Sequence, residues 1–177
     1  MSSQGPNGGA NAVSNGVGDQ PWINPDSSNG SDDTYATCTL PALDETSEGL
    51  ETTDCGFSLS STDTVDGIVV LIERHEGLGN IIDFAIQLIK GGTASGNNKA
   101  SVSEWPSSDA VATYGSASDK WGLSWAYSDI NASNFGVLVR AANSGGVLSI
   151  ANIDDISITV YYTTASGVKQ LATLGVG

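Results

Sequence analysis

Few side chains in this chain have the types and spacing that catalysis requires. The one histidine, His75, lies between Glu73 and Glu76 in the segment Glu-Arg-His-Glu, where an imidazole could act as a general base. No nucleophile is tied to it, since the sequence has no Gly-x-Ser-x-Gly elbow and neither cysteine has a neighbouring histidine. We therefore interpret His75 as a solvated residue at a strand end and predict that the chain is not an enzyme.

Acidic residues are numerous, but their pairing carries little information. Adjacent carboxylates occur at Asp32-Asp33 and at Asp154-Asp155. A glycosidase needs two carboxylates at a set separation, yet any two of the 20 acidic residues could be paired on paper. The acidic pairs therefore predict no glycosidase site.

One loop has the spacing of a calcium-binding segment. Asp129, Asn131 and Ser133 place oxygen-bearing side chains at alternate positions, as calcium loops do, but the glycine at the sixth position and the closing glutamate are missing. The alternative is an Asx-type turn in which these side chains bond to loop amides. Zinc is disfavoured because the chain has one histidine and two cysteines. We favour the turn and predict no cofactor.

The aromatic residues offer the best candidates for a binding surface. Trp121 and Trp125 alternate with small residues, which is typical of core positions on a strand. Trp22, Trp105 and Tyr114 lie instead in Gly/Asn/Ser-rich stretches that predict surface loops. These three rings are the predicted partner-binding residues.

Alternating apolar residues predict the elements that hold these side chains. The stretch Lys120–Arg140 is predicted to form two strands joined by a polar turn, and other strands are predicted at 35–40, from Cys55, at 65–73, 81–90 and 156–162. In 81–90, Phe84 is expected on the face of Ile82, Ile86 and Leu88, with Asp83 on the opposite face. About eight short strands and scarce helix formers predict an all-β, antiparallel two-sheet β-sandwich, jelly-roll-like in arrangement.

The same patterns predict three parts of the chain. Residues 1–34 are rich in Gly, Asn and Ser and are expected to be an extended N-terminal arm and entry loop that becomes ordered on a partner. Residues 35–163 form the sandwich, and residues 164–177 form a C-terminal extension. The run Ile68–Ile72 is apolar on both faces, which predicts a homo-oligomer.

Charge and cysteine content restrict partners and location. The formal net charge of -14 repels phosphate backbones and anionic lipids, so we expect neither a nucleic-acid nor a membrane partner. The first residues lack the features of a signal peptide, which predicts a product made in a cytosol that leaves it by lysis or in a particle. A hairpin centred near Thr46 would bring Cys38 opposite Cys55, so a disulfide and two reduced thiols both remain open.

Eight segments spread along the chain carry a family likeness, namely residues 22–25, 31–36, 65–68, 88–92, 121–125, 128–131, 134–137 and 155–162. They resemble β-sandwich virion structural proteins of tailed bacteriophages. The resemblance implies a non-enzymatic capsid decoration or cement protein, located in the virion after assembly in the host cytoplasm. Its partner would be the major capsid protein or another virion protein, and the N-terminal arm would contribute to attachment. The alternative is a tail or fibre module that binds host-surface carbohydrate.

Overall fold

The structure, a computed structural model, describes residues 1–165 and consists almost entirely of strands. A 3-10 turn at Pro25–Ser28 and a single-turn helix, α1, at Tyr127–Ile130 interrupt the strands. The strands are β1 (Ser2–Gly8), β2 (Asn11–Ser14), β3 (Ala36–Leu40), β4 (Leu50–Thr53), β5 (Thr64–Leu78), β6 (Ile81–Lys90), β7 (Thr93–Ser95), β8 (Ala110–Ser116), β9 (Gly136–Asn143) and β10 (Ser149–Thr163).

The ten strands form two five-stranded sheets, and every pairing between them is antiparallel. Sheet I has the order β1-β10-β5-β8, and β3 pairs with the N-terminal half of β10 on the same edge as β1. Sheet II has the order β2-β4-β9-β6-β7. The predicted all-β, antiparallel two-sheet sandwich is therefore confirmed.

The two longest strands, β5 and β10, form the centre of sheet I. They pair from Ile150 opposite Leu78 to Thr163 opposite Thr64. Alternate side chains point into the sandwich because successive strand residues face opposite sides. Each fully buried aliphatic side chain contributes roughly 1.5–3 kcal/mol of transfer free energy. The buried set on these two strands is Val65, Ile68, Val70, Ile72, Ala151, Ile153, Ile156, Ile158 and Val160.

Strand β6 has the predicted bounds, but its inward face changes halfway along. Asp83 pairs with Ala141 and Ala85 with Arg140, so Phe84 is the extra residue of a β-bulge. The bulge shifts the alternation by one residue: Asp83 is 4% exposed and Phe84 is 47% exposed. The prediction that Phe84 shares the face of Ile86 and Leu88, with Asp83 on the opposite face, is therefore wrong, and both Asp83 and Phe84 belong to the sites described below.

The N-terminal segment is part of the sandwich, which corrects the expectation of a free arm over residues 1–34. Strand β1 pairs with β10 in sheet I, and β2 pairs with β4 in sheet II. The Gln4 side chain also bonds to the backbone N–H and C=O of Ser58. Backbone hydrogen bonds do not depend on apolar side chains, which is why a Gly/Asn/Ser-rich sequence can supply two edge strands.

The first strand predicted within Lys120–Arg140 is absent from the described structure. Trp121 and Gly122 have φ values of 57° and 72°, which lie in the left-handed region and are incompatible with a strand. Trp121 is nonetheless fully buried, and its Nε1 donates to the Ile68 carbonyl at 2.9 Å. Its expected core role is confirmed, and the second predicted strand is confirmed as β9.

Both cysteines are free and buried, and no hairpin brings them together. Cys38 lies on β3 of sheet I, whereas Cys55 follows β4 of sheet II, because β3 pairs with β10 and β4 pairs with β9. Burial raises the pKa of each thiol to about 12. The two thiols are therefore protonated at neutral pH.

Two expectations remain predictions. On β5, Val69 and Leu71 point away from the sandwich and are half-buried. The prediction that another subunit packs on this outer face is neither shown nor overturned. Of the predicted C-terminal extension at 164–177, residues 166–177 lie outside the described residues. None of the helices in the described part of the chain is long and apolar enough to cross a bilayer.

Deleting residues 1–9 should destabilise the protein, because β1 supplies ladder hydrogen bonds to β10. Several such bonds, at roughly 0.5–1.5 kcal/mol each, predict a loss on the order of 2–5 kcal/mol in the free energy of unfolding by urea. Gln4→Ala, which removes only the side-chain bonds to Ser58, should cost less. An unchanged unfolding midpoint for the deletion would mean that the segment acts as an arm independent of the sandwich.

The thiols should resist alkylation in the folded protein, because only the thiolate reacts and burial disfavours it. We expect a maleimide or disulfide reagent at pH 8 to label neither Cys38 nor Cys55 until urea unfolds the chain. Because the folded pKa is raised, the stability from keeping the thiols neutral is present below the unfolded value, about 8.5, and is lost as pH rises towards about 12. Fast labelling at pH 8 without denaturant would contradict this burial.

Candidate functional site

Two of the aromatic residues predicted to bind a partner lie inside the sandwich. Trp105 is 2% exposed and Tyr114 is 7% exposed, so neither ring is available to a ligand. Trp105 lies in the segment after β7, which was predicted to be a surface loop. This segment instead lies along the edge of β6. The Trp105 N–H donates to the Ile81 carbonyl at 2.7 Å, and the Asp83 N–H donates to the Ser101 carbonyl at 3.2 Å.

Both rings bond to the carboxylate of Asp83. Trp105 Nε1 donates to Oδ1 at 2.8 Å, and the Tyr114 hydroxyl donates to Oδ2 at 2.8 Å. The backbone N–H of Ser101 donates to Oδ2 at 2.9 Å, and Arg74 Nη1 forms an ion pair with Oδ1. The Arg74 guanidinium lies 4.5 Å from the Trp105 ring centroid. We refer to Arg74, Asp83, Ser101, Trp105 and Tyr114 as the buried polar cluster.

The buried polar cluster is structural, because Arg74, Asp83, Trp105 and Tyr114 are all buried and bond to one another. Burial raises the pKa of the Tyr114 hydroxyl well above its usual value, so this group remains a hydrogen-bond donor to Asp83. A buried carboxylate is tolerated only when its oxygens are paired and bonded. The predicted binding roles of Trp105 and Tyr114 are thereby corrected.

Trp22 is also buried, which corrects the third aromatic candidate. It is 3% exposed, and its Nε1 donates to the Glu48 carbonyl at 2.8 Å. Its backbone N–H donates to Ser14 Oγ at 3.0 Å, which ties the entry loop to β2. A tryptophan in a Gly/Asn-rich stretch therefore anchors a loop here and does not serve as a contact surface.

His75 lies within β5 and belongs to a hydrogen-bond chain, so it is not a solvated residue at a strand end. Its Nδ1 lies 2.6 Å from Asp109 Oδ1, and its Nε2 lies 3.1 Å from Asn152 Nδ2. The Tyr35 hydroxyl donates to the other oxygen of Asp109 at 2.8 Å. Hydrogen bonds to Tyr35 and His75 and the charge of His75 lower the Asp109 pKa against the opposing effect of burial. Among residues 1–165, no hydroxyl or thiol nucleophile contacts the imidazole.

The suspected calcium loop has the geometry of the alternative interpretation. Asp129 Oδ2 accepts from the Ala126 N–H at 2.8 Å and lies 3.0 Å from Lys90 Nζ, and these contacts lower the Asp129 pKa despite partial burial. Asn131 bonds to the backbone N–H and C=O of Leu59, at 2.7 and 2.8 Å. Asp129 and Asn131 therefore bond to backbone groups of loops, and neither side chain is hydrogen-bonded to Ser133. Within residues 1–165, no three His, Cys, Asp or Glu side chains are grouped so that they could hold a metal ion.

The best candidate site is a groove on the outer face of sheet II. Its volume is about 470 Å³, and Phe84, which the bulge turns outward, forms one side. Ala85 and Leu138 form part of an apolar floor, where they pack with Ile89 and Ala94. The residues that line this groove are Asn15, Val17, Phe84, Ala85, Gln87, Asn98, Leu138 and Arg140.

Hydrogen bonds fix the amide side chains at the two ends of the groove. Asn98 Nδ2 donates to the Phe84 carbonyl at 3.1 Å, and Asn98 Oδ1 accepts from the Ile86 N–H at 2.9 Å. Asn15 Oδ1 accepts from the backbone N–H groups of Val17 and Gly49, each at 3.0 Å. These bonds preorganise the walls, which lowers the entropy cost of binding a ligand.

Arg140 is held against the Phe84 ring. Its guanidinium carbon lies 4.6 Å from the ring centroid. Arg140 Nε donates to the Ser47 carbonyl at 3.0 Å, and Nη2 donates to Thr46 Oγ1 at 2.8 Å. The groove therefore presents an aromatic ring and a cation side by side above an apolar floor.

Sequence reasoning missed both Phe84 and Arg140. Phe84 fits the alternating pattern of a core position, and nothing in the one-letter pattern marks the bulge. Arg140 is the last residue of the predicted second strand, where a charged side chain is expected to be solvated. The available signal was Asp83, because a carboxylate within an otherwise apolar strand raises the question of which face it occupies.

A second, smaller depression lies beside the entry loop. It has a volume of about 280 Å³ and is lined by polar residues. The neighbouring carboxylate of Asp154 is 1% exposed and accepts from the N–H groups of Asp32 and Asp33 at 3.2 and 3.3 Å. This acidic cluster thus holds a loop against β10.

Comparisons with known proteins identify an architectural neighbour and no family. No protein-family model matches the chain, and a search of curated proteins finds no match. The chain is similar to a solved structure described as "CBM4 structure and function", a carbohydrate-binding module. The two are 9% identical, with a TM-score of 0.44 over 83% of this chain and 91% of that chain. At this level of similarity, we draw nothing from the neighbour about ligand or role.

Asp83→Ala should strongly destabilise the protein, because it leaves Arg74 buried without its partner. We expect a loss of roughly 3–5 kcal/mol in the free energy of unfolding. Tyr114→Phe, which removes one hydrogen bond to a charged group, should cost roughly 1.5–3 kcal/mol. Urea unfolding followed by tryptophan fluorescence measures both.

The double variant Arg74→Met, Asp83→Leu tests whether the two charged side chains are energetically coupled. Replacing both charged partners by apolar residues should cost less than the sum of the two single changes, because no unpaired charge is left buried. If the double variant loses as much as the sum of the singles, the two side chains are not energetically coupled and the interpretation of the cluster fails.

Proposed function

We propose that this chain is a non-catalytic binding module whose groove on sheet II takes an oligosaccharide. The observation that carries the proposal is the outward turn of Phe84 at the β6 bulge, beside fixed polar side chains. Binding sites for small molecules combine apolar and aromatic walls with a few precisely placed polar groups. The groove has this composition.

The groove supports a sugar ligand more than an apolar one. A pyranose ring has an apolar face that can lie on an aromatic side chain, while its hydroxyl groups need donors and acceptors at the edge. Phe84 supplies the ring, and Gln87 and Arg140 supply polar groups on neighbouring strands. The Gln87 amide nitrogen donates to the Gly96 carbonyl at 3.2 Å, which leaves Oε1 to accept from a hydroxyl.

The proposal keeps carbohydrate binding but moves it to different residues. Trp22, Trp105 and Tyr114 are buried, so the groove residues take over the role that the sequence suggested for them. This ligand class matches the tail or fibre alternative implied by the phage resemblance. A place in a virion remains a prediction, as do its virion protein partners and homo-oligomer.

Attachment through the N-terminal arm, as expected for a decoration protein, is disfavoured by the pairing of β1 and β2 within the sandwich. β1 and β2 occupy sheet edges, so this part of the chain is already paired within its own sandwich. Copy number would separate the two particle roles. On the order of hundreds of copies per particle supports capsid decoration, and roughly a dozen supports a tail or fibre, where glycan binding is of use.

Phe84→Ala should weaken glycan binding without unfolding the protein, since the ring is half exposed. Screening the wild-type protein on an oligosaccharide array and then measuring the best ligands by calorimetry tests this. We expect Phe84→Ala to weaken binding by more than about tenfold, which corresponds to about 1.4 kcal/mol.

Tyr127→Ala is the matched control, because Tyr127 is 38% exposed and lies outside the groove. It should bind as the wild type does. If the array shows no ligand, or if Phe84→Ala binds every ligand as tightly as the wild type, the proposed function is wrong.

A further inference from the structure

Among residues 1–165, two Lys or Arg side chains form no ion pair, the exposed Lys120 and Arg140, although the chain has a formal net charge of -14. Three other cations form ion pairs: Arg74 with Asp83, Lys90 with Asp129 and Lys99 with Asp119. Within residues 1–165, no carboxylate lies within ion-pair distance of the Arg140 guanidinium. The positive charge in the groove is thus not neutralised by direct contact, although acidic residues are abundant elsewhere.

The orientation of Arg140 is nevertheless fixed through an intermediate residue. Thr46 Oγ1 accepts from Arg140 Nη2 and donates to Asp19 Oδ2 at 3.0 Å. The Thr46 N–H also donates to Asp19 Oδ2, at 2.8 Å. The two bonds from Thr46 are the largest influences lowering the Asp19 pKa, and the charge of Arg140 adds a smaller one. Thr46 therefore positions the guanidinium while Asp19 stays outside direct contact.

One nitrogen of Arg140 is left for a ligand. Nε and Nη2 are bonded to Ser47 and Thr46, whereas Nη1 has no hydrogen-bond partner among the described residues. A guanidinium binds a carboxylate through charge-assisted hydrogen bonds, which are stronger than neutral ones. Phe84, against which Arg140 packs, is the ring on which a sugar would lie.

We propose that the groove selects a sugar that carries a carboxylate, such as a uronic acid or a sialic acid. This inference rests on the proposed function and adds the ligand class. The carboxylate would bond to Arg140 Nη1 while the pyranose ring packs on Phe84. A ligand with a single negative charge per contact suits this site better than a polyphosphate, because the remainder of the protein repels anions.

Calorimetry with matched pairs of sugars tests this. Galacturonic acid is compared with its methyl ester, and 3′-sialyllactose with lactose, so that a uronic acid and a sialic acid are distinguished and each charged probe carries one negative charge. In at least one pair, the wild type should bind the carboxylated sugar at least tenfold more tightly than its neutral counterpart.

Arg140→Gln should bring the carboxylated sugar to within about twofold of its neutral counterpart, whereas Arg140→Lys should retain part of the preference. Lys120→Gln is the control, because it removes the same charge at an exposed residue outside the groove. Thermal unfolding of each variant shows whether the loss of the Thr46 contact has unfolded the site.

The possible failures are distinguishable. If neutral sugars bind as tightly as carboxylated ones and Arg140→Gln changes nothing, the inference is overturned while the proposed function stands. If Lys120→Gln reduces the preference as much as Arg140→Gln does, the selectivity comes from net charge and not from this site, which also overturns the inference. If no sugar in either pair or on the array binds, both proposals are wrong.

Discussion

Burial of the Asp83 carboxylate between the two sheets is the constraint on which much of this structure depends. A carboxylate without partners in this position would cost several kcal/mol, so its two oxygens determine what must surround them. Arg74 reaches Asp83 from sheet I, Tyr114 from the neighbouring strand of the same sheet, and Trp105 from the segment after β7. The buried polar cluster thereby joins sheet II to sheet I and holds the long connection between β7 and β8 along the edge of β6.

The same local irregularity links this interior cluster to the surface groove. A regular β6 would place Asp83 and Phe84 on the faces that the alternating pattern predicts, with the ring inside and the carboxylate in solvent. The extra residue at Phe84 exchanges the two faces for this part of the strand. The same β-bulge turns Asp83 inward and Phe84 outward. The hydrogen bonds that stabilise the buried carboxylate therefore also keep the Phe84 ring exposed in the groove.

The strands and the candidate site differ in how well they could be predicted from the sequence. The bounds of β3 and β6 and the second half of β10 were predicted nearly correctly, because burial of one face imposes a period of two over most of each strand. The N-terminal strands could not be predicted, since they are held by backbone bonds that Gly, Asn and Ser make as well as any residue does. The bulge at Phe84 and the left-handed conformation of Trp121 arise from tertiary contacts. Sequence reasoning therefore missed Phe84 and Arg140 as groove residues. It also predicted surface positions for three aromatic residues that are buried, Trp22, Trp105 and Tyr114.

Many of the acidic side chains are explained by hydrogen bonds within loops. Arg140 is a charged residue that this explanation does not cover. Many carboxylates accept hydrogen bonds from loop N–H groups: Asp154 holds the entry loop, and Asp63 holds the turn before β5. Such bonds stabilise turns in a structure that has ten strands and little helix to satisfy its backbone. Carboxylates used in this way need no cationic partner, so an excess of acids follows from the number of loops. Arg140 holds the loop before β4 through its bonds to Thr46 and Ser47. Its charge nevertheless has no carboxylate partner within ion-pair distance among residues 1–165, and it stands beside an aromatic ring on the outer face of a sheet.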